Sequence, residues 1–543
     1  MILDTLGAFT LILSLFLCVY NIRSLVFFRT AKKMIQQNRS LHHNNNYFSN
    51  SLFEIEPEGN SYLYYNDNID SDKNAENTDD TNTRISIQKV NNAFSDSNSK
   101  QLTPKKPCHN NASSNIGYSS PSPFPTTPFI SILVPALNEH LVIDRLMRSC
   151  ATLTYNRDNF EIVVVDDDSE DSTYDIVRKW TGEIPNLKVI RRSKRTEGWK
   201  GGVLNLALKN TNTNSSYVLI VDADNILATD ILERFVSCLT NFSQKYGRNG
   251  VNVIQGYPRP WMYSNSSGDS IYNLKRDGRS SRGNLNWVAR AIDFRLAQRY
   301  MVEFVAKDCM NLPVQIVGSL FMIRSEIIKS IGFANDLSED WDLTLDLYLS
   351  SYPSFNNMQQ QYHGKSKSKK AIMIRFDPSL GSYYEAITSL ISYLRQRMRV
   401  SEGHTRGFRR KIVTILSSKT LRFTDKIELL FTGLQYVKFI PLLALIIIDC
   451  SMILLSIPAG LFYLTSNNSL IKLSLLVQAA NLFATIGITF MSIPLCFNIR
   501  NYNSKDVLYF LFLTLLTVPF LVFGSIRGMI RNEGIFYRTK RNP

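Results

Sequence analysis

The sequence predicts an α/β domain on a mostly parallel sheet, set between apolar helices long enough to cross a membrane. Three observations carry this expectation. Apolar runs of strand length alternate with helical segments through the middle of the chain. One run, Tyr-Val-Leu-Ile-Val at 217–221, ends in two acids one residue apart, Asp222 and Asp224. The N-terminus and the region after Asp425 are nearly continuously apolar.

At 543 residues the chain exceeds one ordinary core, so several structural units are expected. The N-terminal run from Thr5 to Ile22 carries no charge, and Arg23, Arg29, Lys32 and Lys33 follow it. A secretory signal has its positive charge before the apolar run, so the reversed order predicts an uncleaved span over 1–33 with its C-terminal side in the cytoplasm. Residues 34–127 are rich in Asn, Ser, Asp, Thr and Pro and lack a sustained apolar period, which predicts a disordered linker. The α/β domain is then expected at 128–424, and 425–543 is expected to hold interfacial and transmembrane helices with a basic cytoplasmic tail.

The net charge of +15 could point to nucleic acid, but the basic residues crowd beside apolar segments. A cytoplasmic face next to anionic lipid accounts for them, and no nucleic-acid partner is expected. Seven cysteines without paired spacing indicate neither a zinc knuckle nor a disulfide framework.

Order begins with a strand at 129–135, then the turn Ala136-Leu-Asn-Glu139 and a helix marked by Leu141, Ile143, Leu146 and Met147. A second strand at 161–165 runs into Asp166-Asp167-Asp168-Ser169, a third covers 187–191, and Gly201 opens a helix before the strand at 217–221. Further strands are expected at 251–256, at 316–324 with Gly318 at its border, and at 371–376. Between them lie a polar loop at 265–286 over the crevice, a helix at 287–305, and a helix with Glu339 and Asp340 in its first turn. Runs near 438–464, 470–496 and 506–530 could each span a bilayer. Basic residues at both ends of this region favour an even number of spans and a cytoplasmic tail, whereas three runs are odd; two short spans at 425–464, an interfacial helix or a tail on the outside would reconcile them, and the tail inside is favoured.

Several residues are chemically suggestive, each with a plainer alternative. In an open α/β sheet ligands lie beyond the carboxyl ends of the strands, where the hard oxygens of Asp222 and Asp224 suit Mg²⁺ or Mn²⁺ carrying a diphosphate; a solvated turn is the alternative. Lys200, in Gly-Trp-Lys-Gly-Gly, could meet phosphate at a helix start or be a surface lysine. Glu339 and Asp340 could be reactive or merely offset a helix dipole. Arg397 and Arg399 could bind a diphosphate or form a membrane-surface patch. His404 is read as a loop histidine.

Taken together, Val134 to Glu139, the Asp166 to Ser169 turn, Gly198-Trp199-Lys200-Gly201-Gly202, Asp222-x-Asp224, Ser338-Glu339-Asp340 and Gln396-Arg397-Met398-Arg399-Val400 resemble the family-2 glycosyltransferases, especially the membrane-embedded branch of cellulose and hyaluronan synthases. The resemblance implies a GT-A-like fold and an inverting hexosyl transfer from a UDP- or GDP-sugar to a lipid, polyprenyl phosphate or glycan. It implies that Pro135, Glu139, Asp166, Asp167, Lys200 and Asp222 bind the nucleotide, that Asp222 and Asp224 hold the cation, and that Asp340 is the general base. Gln396, Arg397 and Arg399 would lie at the diphosphate and acceptor entrance. The family pattern has Gly where this chain has Asp168, so the turn there can differ, although Asp is among the better substitutes for Gly in such a turn. Polymer-making relatives have Trp where this chain has Val400, and Val offers no face for stacking on a sugar ring. A processive polysaccharide synthase and an inactive nucleotide-sugar-binding scaffold stay open beside a membrane transferase making short products.

Overall fold

Apolar strands buried on both faces explain why a single sheet organises the domain. The computed structural model describes residues 2–42, 127–192, 198–246, 251–261, 286–350, 372–456, 469–496 and 502–532. The strands are β1 (Ile130–Ala136), β2 (Phe160–Asp166), β3 (Leu187–Arg191), β4 (Tyr217–Ile220), β5 (Asn225–Leu227), β6 (Val253–Trp261), β7 (Phe321–Arg324) and β8 (Ile374–Glu385). They form one sheet in the order β3-β2-β1-β4-β7-β6-β8-β5. The first four are mutually parallel; β7 runs antiparallel to both β4 and β6, β8 is parallel to β6, and β5 is antiparallel to β8.

Side chains of successive residues point to opposite faces, so each strand feeds two cores. Leu133, Val163, Val165, Val218 and Ile220 pack on one face with Val203 and Leu204. Ile132, Val134, Ile162, Val164 and Leu219 pack on the other with Leu146, Met147 and Phe235. The covering helices are α2 (Ile143–Ala151), α3 (Thr173–Lys179), α4 (Lys200–Lys209) and α5 (Ile231–Tyr246), as the alternation of strand and helix predicts.

The structure moves several expected boundaries. The first helix, α1, spans Ile2–His42 and so runs beyond residue 33 into the expected linker; residues 43–126 lie outside the described residues. Of the strand expected at 316–324 only Phe321–Arg324 forms, because Gly318 and Leu320 both adopt positive φ and break the extended run. The short strand expected at 371–376 becomes the 12-residue β8, which pairs with both β6 and β5. The loop expected at 265–286 falls, but for Asn286, outside the described residues.

The helix expected at 287–305 is α6 (Trp287–Gln298), continued by a π turn at Arg299–Phe304 and by α7 (Val305–Cys309). After α8 (Ser325–Ile331) and α9 (Glu339–Leu349) comes α10 (Leu390–Ser417), a 28-residue helix bearing the arginine box. His404 therefore sits on a helix and is buried, not on a loop. Next are α11 (Phe423–Gly433), which begins two residues before the expected boundary at 425, α12 (Phe439–Ser456), α13 (Ser469–Met491) and α14 (Ser504–Ile530).

Among the described residues, three helical stretches are long and apolar enough to cross a membrane: Asp4–Gln37, Ser469–Cys496 and Ser504–Ile530. The run near 438 yields only a shorter apolar helix, Phe439–Ser451, and residues 457–468 lie outside the described residues. Helix α1 packs Phe27 and Phe28 against Phe294 and Met301 of the α6 segment, which ties the apolar end helices to the sheet domain.

Candidate active site

The carboxyl ends of β1, β2 and β4 open on the same edge of the sheet, and the local geometry of each loop follows from a few special residues. Asn138 and Asp168 both take left-handed φ, 53° and 58°. Asp168 thus holds the conformation for which the family pattern uses Gly, as an Asp can at modest cost. The two loops are laced together: Asn138 N donates to Ser169 Oγ at 2.8 Å, Glu170 N donates to Asn138 Oδ1 at 2.7 Å, and Glu139 N donates to Thr173 Oγ1 at 2.7 Å. Pro135 and Glu139 flank this turn.

Behind it, Asp166 and Asp167 are both buried. Asp167 Oδ1 accepts from Arg192 Nε at 2.6 Å. Asp166 Oδ2 accepts from Ser169 N at 3.2 Å, while its Oδ1 is buried with no hydrogen-bond partner among the described residues. A buried carboxylate oxygen left unbonded is costly, so a donor group from a ligand would be favoured there.

At the end of β4 the backbone N–H of Asp222 donates to Ser319 Oγ at 3.0 Å, and Asn225 Nδ2 reaches the same oxygen at 3.3 Å. Ser319 is held in turn by Gln255, whose Nε2 donates to Ser319 O at 3.0 Å and whose Oε1 accepts from Val317 N at 2.9 Å. Neither residue was a sequence candidate. Gly318 was the available signal: its φ of +63° reverses the chain just before Ser319.

Lys200, at the start of α4, turns inward and is not a solvated surface lysine. Its Nζ donates to Asp222 Oδ1 at 2.5 Å and to Gly318 O at 2.8 Å, and lies 3.4 Å from Glu339 Oε1. Burial works against its charge, but Asp222 and Glu339 outweigh that and hold its pKa above the usual lysine range.

Asp340 lies across Gly318 from Lys200. A Cβ placed on Gly318 would stand 3.5 Å from Asp340 Oδ2 and 3.7 Å from Lys200 Nζ, so both side chains face the gap that a glycine leaves open. Asp340 Oδ1 accepts from Trp341 N at 2.8 Å. Burial, then the neighbouring Glu339 charge, push its carboxyl up to about 7, against the opposing pull of Lys200. A carboxylate with that value is suited to taking a proton near neutrality.

The arginine box divides. Residues two apart on an α-helix point about 200° apart. Arg399 has Glu339 in electrostatic reach and so belongs with the sheet edge. Buried Arg397 turns the other way and donates from Nη2 to the Tyr436 hydroxyl at 3.1 Å. Gln396 is partly exposed on the same helix. His404, one to two turns on, stacks on Trp341 with ring centroids 4.3 Å apart, and its Nε2 is 2.9 Å from Thr432 O. Burial holds its imidazole neutral, pushing the pKa down to about 3.

The donor set can be tested against a divalent ion. Asp222 and Asp224 offer hard carboxylate oxygens at a strand end, which suits Mg²⁺ or Mn²⁺. Among the described residues no group of three or more His, Cys, Asp or Glu side chains is placed to hold a metal. The pair alone therefore fits an ion that completes its shell with ligand phosphate oxygens and water, the usual arrangement for Mg²⁺.

Part of this sheet domain is similar to known proteins. Residues 131–262 match the family described as Glycosyl transferase family 2, and that segment contains the nucleotide loops, Lys200 and both acids of the Asp-x-Asp. Residues 131–262 therefore carry a domain similar to the family-2 glycosyltransferases. It is 40% identical over 278 residues to a Beta-monoglucosyldiacylglycerol synthase of Trichormus variabilis, covering 51% of this chain and 49% of that protein. A Probable glycosyltransferase of Sulfolobus acidocaldarius is 24% identical over 435 residues, covering 76% of this chain and 77% of that one. The chain spans about half the length of the first of these relatives. Among solved structures, the mannosyltransferase PcManGT from Pyrobaculum calidifontis, in complex with GDP-Man and Mn²⁺, aligns with a TM-score of 0.46 and 17% identity over 75% of this chain and 89% of that one.

Proposed function

We propose that the protein is an inverting membrane glycosyltransferase that moves a sugar from a nucleoside diphosphate sugar to a membrane lipid. The observation that carries the reading is the convergence of Asp222, Lys200, Glu339 and Asp340 around Gly318, at the ends of strands whose loops leave Asp166 Oδ1 unbonded. Asp166 and Asp167 would receive the nucleoside beside Pro135 and Glu139. Lys200 and Arg399 would face the diphosphate with charge that is retained at neutral pH. Asp222 and Asp224 would hold a divalent cation, which, when bound, offsets the charge that builds on the departing diphosphate.

Asp340 would accept the proton of the attacking hydroxyl as its oxygen bonds the anomeric carbon and the bond to the diphosphate breaks. Attack from the face opposite the diphosphate inverts that carbon. A lipid acceptor is supported by the apolar helices packed on α6 and by the name of the Trichormus variabilis relative. Val400 in the place of Trp supports a short product over a processive polymer. The basic residues after the first apolar run support a catalytic domain on the cytoplasmic side of the cell membrane.

The test is release of nucleoside diphosphate by detergent-purified protein supplied with membrane lipids, across UDP- and GDP-sugars, with Mg²⁺, Mn²⁺ or chelator. The expected result is metal-dependent release from one donor, abolished by Asp222→Ala. Release from no donor under any condition would overturn the reading in favour of a nucleotide-sugar-binding scaffold.

A further inference from the structure

Helix α14 has the length and composition of a membrane span, yet both of its ends are held by charged groups of the sheet domain. At its start, buried Asp506 accepts from Arg290 Nε of α6 at 2.7 Å, and Trp287 of the same helix lies against Tyr509 and Phe512. At its end, Arg527 Nε lies 3.2 Å from Glu402 Oε2 of α10, and Arg409 Nη2 of α10 donates to Asn532 Oδ1 at 2.9 Å. Between them Gly524 stands against Ser401 and Met398 of α10, and Leu513 joins the core on one face of the sheet.

Helices α6 and α10 are built into the sheet domain. Val288 and Ala291 of α6 and Tyr393 and Phe408 of α10 lie in that same core, and Arg410 Nη2 of α10 donates to Asp342 Oδ2 of α9 at 2.8 Å. Asp506 and Arg527 are separated by roughly 32 Å of helix, about the thickness of a hydrocarbon core. Were α14 to cross, Arg290 and Glu402 would stand at opposite membrane surfaces. The domain that joins them would then have to occupy hydrocarbon, polar loops and charges included, at prohibitive cost.

Helices α1 and α13 are arranged differently. Gly7 stands against Leu470 and Ile471, and Asn21 Nδ2 donates to Asn481 Oδ1 at 2.9 Å, so the two run side by side in one direction. Their C-terminal parts reach the α6 segment, through Phe27 and Phe28 and through Phe490 and Cys496. α13 therefore returns the chain to the side of the sheet domain, and α14 both starts and ends there.

The outward face of α14 is apolar from end to end. Leu508, Phe512, Leu515, Phe523, Ile526 and Ile530 are between 40% and 73% exposed and fall on one helical line, with exposed Pro519 continuing it. Its far end runs into the basic residues Arg531, Arg538 and Lys540, which suit anionic headgroups. Hydropathy alone reads α14 as a span because the face turned to the protein is apolar too.

We propose that α14 lies in the plane of the membrane, its stripe from Leu508 to Ile530 sunk into the leaflet next to the sheet domain, and does not cross. The C-terminal region then crosses twice, through α12 and α13, the even number that basic residues at both of its ends favour. This placement is independent of any chemistry at Asp340.

The test uses full-length protein in sealed lipid vesicles, in a parent carrying Cys18→Ser, Cys108→Ser, Cys309→Ser and Cys450→Ser, which keeps the buried cysteines 150, 238 and 496. Lys505→Cys, Asn532→Cys and, as a marker of the sheet domain, Asn214→Cys are each treated with a membrane-impermeant maleimide. Nitroxides at Leu508→Cys, Leu515→Cys, Phe523→Cys and Ile530→Cys report depth. The expected result is that Lys505→Cys and Asn532→Cys label from the same side as Asn214→Cys, and that all four nitroxides sit at one shallow depth, about 5–10 Å below the headgroups. Protection of Asn532→Cys until the vesicles are permeabilised would overturn the proposal, as would a depth profile that peaks near the bilayer centre at Leu515. Nitroxides shielded from both lipid and water would also overturn it, and would assign the stripe to a second copy of the chain.

Discussion

Asp340 is the residue whose ionisation state most directly reports the chemistry. Its carboxyl sits at about 7 because burial and Glu339 outweigh Lys200. As a base it must be ionised, so kcat/KM is expected to fall about tenfold per pH unit below that value, since this ratio follows the free enzyme. Asp340→Asn is expected to lower transfer by about 10²–10⁴-fold, the usual contribution of a positioned base. Stability should move the opposite way. A carboxyl whose folded pKa is raised contributes stability below its unfolded pKa and loses it as pH climbs through the folded value. The wild type should therefore melt higher at pH 5 than at pH 8, and Asp340→Asn should narrow the gap. An Asp340→Asn protein with full transfer, or with an unaltered pH profile, would remove Asp340 from the base role.

Among the elements, α10 and α14 form the joint between the arginine box and the last apolar helix. Gly524 stands directly against Ser401 Oγ and the carbonyl of Met398, and Gly528 against the carbonyl of Glu402, so any side chain at either position must push the helices apart. One turn on, Arg527 Nε lies 3.2 Å from Glu402 Oε2. Met398 is adjacent to both Arg397 and Arg399, so a shift here displaces the box. Gly524→Leu is expected to lower transfer by about 10²-fold, as an ångström-scale misplacement does, with the effect measured in purified protein at saturating donor. Gly487 faces open space, and Gly487→Leu should leave transfer within twofold of wild type, an estimate of roughly experimental scatter for an exposed apolar position.

For the whole molecule, a buried charge network links the N-terminal helix to the catalytic domain. Arg23 of α1 meets Glu428 of α11 at 2.5 Å and Glu303 of the π turn at 3.0 Å, and Lys307 of α7 meets the same two acids at 2.9 and 3.0 Å. The network contains two positive and two negative groups and is balanced as it stands. Removing one partner leaves an uncompensated charge, so Arg23→Gln is expected to cost about 3–5 kcal/mol, read as a lowered melting temperature in detergent. Adding Glu428→Gln should recover much of that loss because the charge balance returns. Equal melting temperatures for wild type and Arg23→Gln would show that α1 is held by its apolar contacts alone.

The sequence by itself determined the local features. Strand runs are short and bounded by turn residues, so the ends of β1, β2 and β4, and hence the placing of Asp166, Asp167, Asp222 and Asp224, were legible from spacing alone. The apolar end helices were legible from length and composition, except that α1 continues nine residues beyond residue 33. Lys200 was undecided in sequence because a lysine at a helix start looks the same whether it faces water or carboxylates; Gly318, 118 positions further on, had to fold back before the answer existed. Tertiary structure alone decided that Ser319 and Gln255 pin the Asp-x-Asp loop, that His404 is buried on Trp341, and that Arg397 turns to the Tyr436 hydroxyl. Those arrangements depend on contacts between residues far apart in the chain, and no periodicity encodes which distant side chains a burial event will bring together.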